Sequence, residues 1–362
     1  DVSLVSGDKN DFTTVQGTAK NLTVKDTNGI KLGDITAEGN LEVVAGGAID
    51  VAGGVTAAQN ATLTAGTDAT VGGTVTASAG DAAVNASNDA VIDGKVEATA
   101  AKATVTAAND ATVNGTVKAG TDAKVEATAG DLVVAADAKT EGATAELKAG
   151  NDITVDGTVT ATTGDATVNA GNDAVIGGKV EATAANATVT AGNDATVNGQ
   201  VVAGTDASLT AQKNVTISGA GTVTAGNDAT LTATEEKVDV AGGVTAAQNA
   251  TLTAGTDATV GGTVTATAGD AALNAGNDAV IGGKVEATAA KATVTAGNDA
   301  TVNGQIVAGT DASLTAQKNV TVSGTGTVTA GNDANLTATD AKVEVAGGVT
   351  AAQNATLTAG TD

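Results

Sequence analysis

The residues best placed to do chemistry in this chain are aspartates on a fixed spacing. Asp152, Asp173 and Asp194 stand 21 apart, and Asp257, Asp278 and Asp299 repeat the pattern, Asp257 standing 105 beyond Asp152. A column of carboxylates offers hard oxygen ligands of the kind that bind Ca²⁺. It equally offers acceptors for backbone N–H groups at an Asx-type corner. Carboxylates about 5 Å apart repel by roughly 1 kcal/mol or less per pair in water, which a surface tolerates. The glycine-rich nonapeptide of calcium-binding solenoids is absent. Corner acceptor and Ca²⁺ ligand are the two readings of this column.

Other chemistry is thinly supplied. The chain has no His and no Cys, so the common general bases and nucleophiles are missing. Paired carboxylates could cleave a glycoside, but that needs one irregular place, and these aspartates recur with the repeat. No catalytic, cofactor-binding or metal-ligating residue is assigned, and the expectation is that the protein is not an enzyme. Asn60, Asn186, Asn214, Asn249 and Asn354 each begin an Asn-x-Thr acceptor pattern. They read either as rungs of Asn and Thr ladders between stacked segments or as sites that carry sugars.

These residues must be positioned by something that repeats. VAGGVTAAQNATLTAGTD occurs three times, at Val51–Asp68, Val240–Asp257 and Val345–Asp362. The copies are separated by whole multiples of the aspartate spacing, which implies one small unit stacked many times. The unit starting at Asp152 holds three runs, DITV, GTVTAT and DATVNA. Each alternates small apolar with polar residues, the period of a strand with one buried face. In Thr158–Ala161 this turns Val159 and Ala161 inward; in Asp165–Ala170 it turns Ala166, Val168 and Ala170 inward. Gly with Asn or Asp separates the runs, where the backbone would need positive φ or an Asx turn.

Three short strands and three corners in 19–21 residues describe one coil of a right-handed parallel β-helix. About 17 coils at ~4.8 Å each would make a rod on the order of 80 Å long. Residues 1–50 read as looser opening coils, with larger apolar residues and the single aromatic, Phe12, packed at a coil corner or end. Residues 51–362 read as regular coils in long repeats with periods of 84 and 105, the whole forming one continuous solenoid. A string of immunoglobulin-like sandwiches is the competitor, since the longer period is about one such domain. It is opposed by the subdivision of that period by 21. It is opposed also by Lys95 and Lys179 standing 84 apart where Lys179 and Lys284 stand 105 apart. A solenoid can drop one coil; a sandwich cannot drop a fifth of its strands. Disorder is opposed by the sustained alternation of Val, Ile and Leu.

Composition narrows the partners. Net charge is −24 and all 17 basic residues are Lys, which argues against nucleic acid, whose phosphates need Lys and Arg clusters. No apolar run approaches the ~20 residues of a membrane span. The apolar fraction is mainly Ala and Val, so the core must be thin. The chain opens DVSLVSGDKN without a visible signal peptide, and is expected to be a segment of a longer protein.

The stretch Asn10–Ile49 (NDFTTVQG…NLTVKDTNGIKLGDITAEGNLEVVAGGAI) and the AGNDATLTA repeat at Ala225–Ala233 resemble filamentous haemagglutinin-type exoproteins. These are large bacterial adhesins of the two-partner secretion class. The resemblance covers essentially the whole chain and is specific for architecture. It implies a right-handed β-helical shaft, export through an outer-membrane secretion partner, and a place outside the bacterium or on its surface. Adhesion, biofilm formation and contact-dependent inhibition are the roles it implies. The residues themselves, with no aromatic anchor on the exposed face, fit a shaft that projects other parts. The alternative is a self-assembling extracellular fibre, sheath or coat, joined end to end or side by side.

Overall fold

The computed structural model describes residues 1–5 and 10–361. All regular structure among them is β-strand, and the chain divides into two compact units, Asp1–Ala184 and Ala185–Asp362. Each unit repeats one coil. A coil of the first unit runs through a five-residue strand, Ala166–Ala170, a three-residue strand, Ala174–Ile176, and a four-residue strand, Lys179–Ala182. Ala, Val and Ile alternate there with Thr, Asn, Lys and Glu, and β-branched residues suit a half-buried pleated surface. Each strand pairs in parallel with its equivalent one coil earlier: Leu147 with Val168, Ile153 with Ala174, and Val159 with Val180. In the second unit Leu231 pairs with Leu252, Val260 with Ile281, and Val264 with Val285. Each unit is thus a right-handed parallel β-helix with three ladders: first (five-residue strands), second (three-residue) and third (four-residue).

The inward residues are those the alternation selects. Val159, Ala161, Ala166 and Val168 are wholly buried, and Ala170 nearly so. Along the first ladder the central position is Leu or Val (Leu63, Val84, Val105, Val125, Leu147, Val168), flanked on both sides by Ala near the corners. Bulk at strand centres and methyls at strand ends fill a thin cross-section without aromatic rings. Burying each Leu or Val stabilises by about 1.5–3 kcal/mol relative to exposure.

That burial belongs to the stack. Leu63 and Leu252, in the first two copies of the repeated VAGGVTAAQNATLTAGTD segment, are fully buried, whereas Leu357 in the third is 49% exposed. Leu63 is flanked by Val43 and Val84, and Leu252 by Leu231 and Leu273. Among the described residues Leu357 pairs only with Leu336. The same sequence gains its dry face from the coils on either side. Asp362, the end of the third copy, lies outside the described residues.

The long repeats are whole coils. From Val240 the equivalents are Val260, Ile281, Val302, Val322 and Val345, so the longer period makes five coils. From Lys95 they are Thr116, Lys139, Thr158 and Lys179, so the shorter period makes four. Coil length departs from the expected range at both ends: the step from Gly17 to Ile35 is 18 residues, those from Ala123 to Ala145, Ala207 to Ala229 and Ala312 to Ala334 are 22, and those from Thr116 to Lys139, Val215 to Val238 and Val320 to Val343 are 23. The added length goes into corners. Turns at 135–138, 218–221 and 323–326 close with N–H to C=O bonds of 2.9 Å (Ala138 to Ala135, Gly221 to Ser218, Gly326 to Ser323). A residue inserted within a strand would turn its inward set outward, so only corners absorb it.

The opening coils show how the second and third ladders arise. Val15 pairs with Leu32 and Gly17 with Ile35; Leu32 then pairs with Val51 and Ile35 with Val55. Between these pairs stand Gln16 alone, then Gly33 and Asp34, then Ala52, Gly53 and Gly54. The single strand Ile30–Ala37 therefore splits into Ile49–Val51 and Gly54–Ala57 as a corner opens. Phe12 is half-buried in the first coil, and its N–H donates to Asp26 Oδ2 at 2.6 Å. Asp26, only 6% exposed, also accepts from Asn28 N–H through Oδ1 at 2.8 Å, so its carboxylate is satisfied.

The expectation that corner glycines supply positive φ is not met. Among the described residues only Gly17 has φ in that region, at +133°. The corner glycines serve close approach: a Cβ on Gly94 would strike the carbonyl oxygen of Gly73, and one on Gly115 that of Gly94. Neighbouring coils lie so near at this corner that only hydrogen fits between them.

Candidate functional site: acidic ladders at the corners

The corner between the first and second ladders carries the aspartate column. In the first unit it runs Asp68, Asp89, Asp110, Asp131, Asp152, Asp173, one per coil. Oδ1 of each accepts the backbone N–H of the next: Asp89 N to Asp68 at 3.3 Å, Asp110 N to Asp89 at 3.1 Å, Asp131 N to Asp110 at 2.8 Å, Asp152 N to Asp131 at 3.2 Å and Asp173 N to Asp152 at 3.0 Å. The preceding Asn adds a second donor to the same oxygen. Asn88, Asn109, Asn151 and Asn172 reach back through Nδ2 at 2.6–2.9 Å. In the second unit Asp278 bonds back to Asp257 and Asp299 to Asp278 in the same way, at 3.2 and 3.0 Å. Asp194 opens that unit's column and accepts from Asn214 N–H and Nδ2 at 3.0 and 2.8 Å.

The alignment expected of these aspartates therefore holds within each unit, with one correction to the Asx reading. The donor is the backbone of the next coil, and not the aspartate's own turn. Each carboxylate is a clamp between coils. A charge-assisted bond of this kind is stronger than a neutral one, and stacking repeats it wherever the rung is Asp; in the second unit the Asp194 rung is followed by Asn214 and Lys237.

A second column, at the corner between the third and first ladders, was not singled out from the sequence. Asn21, Asn40, Asn60 and Asp81 each accept through Oδ1 the backbone N–H of the next rung, the last being Lys102, at 2.8–3.2 Å. In the second unit Asp206, Asp228 and Asn249 do likewise. The signal was available: Asn60 and Asp81 stand 21 apart, each immediately before an alternating run.

The Asn-x-Thr residues fall in these columns. Nδ2 of Asn60, Asn214, Asn249 and Asn354 donates to the carboxylate or amide oxygen one coil earlier, at 2.8–3.1 Å. Asn186 accepts Thr205 Oγ1 at 2.6 Å and Asp206 N–H at 3.2 Å. The nitrogen that an N-linked sugar would use is, in those four, a rung of the ladder.

Lysines are interleaved with the acids. Lys102 follows Asp81 in its column, and its Nζ lies 3.0 Å from Asp122 Oδ2 in the next coil; Lys291 lies 3.4 Å from Asp311. The hydrogen bond to Asp122 raises the Lys102 pKa. Asp122 is held below its usual value by Thr144 Oγ1, which donates to Oδ1 at 2.8 Å, and then by Lys102. On the outer face of the first ladder, Glu126 is bridged by Lys148 at 2.9 Å and Lys124 at 3.0 Å. Both lower its pKa, Lys148 more.

No three acidic side chains among the described residues converge closely enough to hold a metal ion. An open surface groove of about 460 Å³, lined by Asn21, Asn40, Asn60, Thr23, Glu42 and Thr62, is a stretch of the second column and its strand face. No described helix is long and apolar enough to cross a membrane. A family model described as repeats of unknown function (DUF5649) matches residues 19–71, less than half of the chain. No curated protein and no solved structure matches the chain.

Proposed function

We propose that the chain is a structural stalk segment of a larger bacterial exoprotein, exposed outside the cell or on its surface, which spaces other parts without catalysing a reaction. One observation carries this reading: the inward alternation and the corner ladders recur from coil to coil within each unit, and length varies only in whole coils or in corner turns. A repeat β-solenoid fits a structural rod, because each coil needs only its neighbours and stability accumulates with coil number. The lack of His and Cys supports a non-enzymatic role. The matched repeat family supports the repeat architecture alone, and the resemblance to filamentous haemagglutinin-type proteins is what suggests a place in a secreted adhesin, exported with an outer-membrane partner.

Electron microscopy tests the mechanical part. The chain is compared with a variant lacking residues 240–344, five coils that can be removed at identical junctions. The stalk reading expects elongated particles of one width that shorten by about 24 Å at ~4.8 Å per coil. Globular particles, or a length that does not respond to the deletion, contradict it. Antibody labelling of intact producing cells tests the location; signal only after lysis contradicts it.

A further inference from the structure

In a chain of net charge −24, one surface of the second unit carries no charge. The first-ladder strands from Ala187–Ala191 to Ala355–Ala359 present two outward positions per coil over nine coils. Those eighteen positions hold thirteen Thr, two Ser, two Asn and one Ala. Their pairing is in register with no bulge through eight successive steps. The equivalent face of the first unit bears Lys25, Glu42, Lys124, Glu126, Glu146 and Lys148. So the absence of charge is a property of this face, not of the repeat.

We propose that this threonine face is where a second copy of the chain docks side by side, face to face. The inference rests on the stalk reading and adds its assembly. Charge selects the face: two copies repel through the acidic corners, and this strip is where they approach with no ion to desolvate. Chemistry makes it self-complementary. A hydroxyl both donates and accepts, so Thr can bond to Thr across a two-fold axis, which an isologous contact requires, while its methyl supplies apolar contact. Area is sufficient. Nine strands at ~4.8 Å by five residues at ~3.3 Å give about 700 Å² per copy, or about 1,400 Å² in total, within the roughly 1,200–2,000 Å² of stable interfaces. The acidic columns border the face, so salt that screens them should tighten the pair.

Sedimentation equilibrium on the whole chain tests this, with the monomer at 34.0 kDa. The expected result is a dimer whose dissociation constant falls several-fold from low to high salt. T232E/T253E, which sets like charges against each other across the two-fold, should raise that constant about tenfold or more. Glu126 occupies the equivalent outward place in the first unit, so glutamate is compatible with the strand; T230K/T251K, at the place Lys124 holds in the first unit, provides an independent check with the opposite charge. T245E/T265E, on the third ladder, should leave the dimer unchanged. A monomer at every salt concentration, or a dimer indifferent to both first-ladder pairs, overturns the proposal. Neither result touches the stalk reading, which depends on particle length.

Discussion

Asp152 Oδ1 accepts the backbone N–H of Asp173, its equivalent one coil later, at 3.0 Å. The bond places successive carboxylates in line and commits each one to holding the next coil, so the column's first role is cohesion. Asp131 is the cleanest place to test it, because its Oδ1 receives both Asp152 N–H and Asn151 Nδ2, at 3.2 and 2.6 Å. Asp131→Ala should cost about 1–1.5 kcal/mol by denaturation and speed hydrogen exchange at the Asp152 amide. Asp131→Asn keeps the acceptor, as Asn60 and Asn249 do naturally, and should cost less. Equal exchange rates in wild type and the Ala variant would refute the clamp.

Thr140 sits where its ladder neighbours are Val117 and Val159. It is fully buried and its hydroxyl has no partner. Thr140→Val should therefore raise stability by about 1 kcal/mol, the cost of an unsatisfied buried hydroxyl being roughly 1–3 kcal/mol. A lower denaturation midpoint in the variant would contradict this.

Two glycines separate close approach from turn flexibility. A Cβ on Gly94 would strike the carbonyl oxygen of Gly73, whereas Gly219, in a corner turn, has nothing within 4 Å of that position. Gly94→Ala should destabilise by about 2 kcal/mol or more, since backbone must shift, and Gly219→Ala should change stability by about 0.5 kcal/mol or less. Comparable losses at both sites would remove the steric account.

Much of this was legible in advance because a stack turns one-dimensional periodicity directly into contacts. The alternation around Val159 and Val168 identifies the inward face, and the spacing of 84 between Lys95 and Lys179 and that of 105 between Val240 and Val345 resolve into four and five coils. What the chain alone concealed depends on the neighbouring coil. Gly94 looks like a turn residue until Gly73 is seen beneath it. Asp131 looks like a local cap until its donors prove to be one coil away. Thr140 passes for one more surface threonine, since KTEG gives no hint that its ladder partners are valines. The second column, beginning at Asn21, was masked by rungs that vary between Asn, Asp and Lys.

The ion pairs around Glu126 give a pH signature. Lys148 first, and Lys124 second, hold its pKa below the ordinary 4.5. A lowered folded-state pKa means stabilisation that is complete above the unfolded value and lost as pH falls through the folded one. Lys148 is 48% exposed, so solvent screens much of the pair. Glu126→Gln should cost under about 1 kcal/mol at neutral pH, and the difference from wild type should vanish well below pH 4.5. A difference that persists or grows in acid would contradict the assignment.

The central claim is that equivalent residues lie over one another, one coil per repeat. The absence of native cysteine permits unambiguous nitroxide labelling at paired Cys substitutions, read by pulsed electron resonance at protein dilution low enough to exclude pairing of copies. Thr188 and Thr293 are five coils apart within the second unit, and Thr188 and Thr356 eight. At ~4.8 Å per coil the two distances should centre near ~24 Å and ~38 Å, rising in proportion to coil number. Distances that are broad, equal or unordered with coil number would contradict the stacked arrangement.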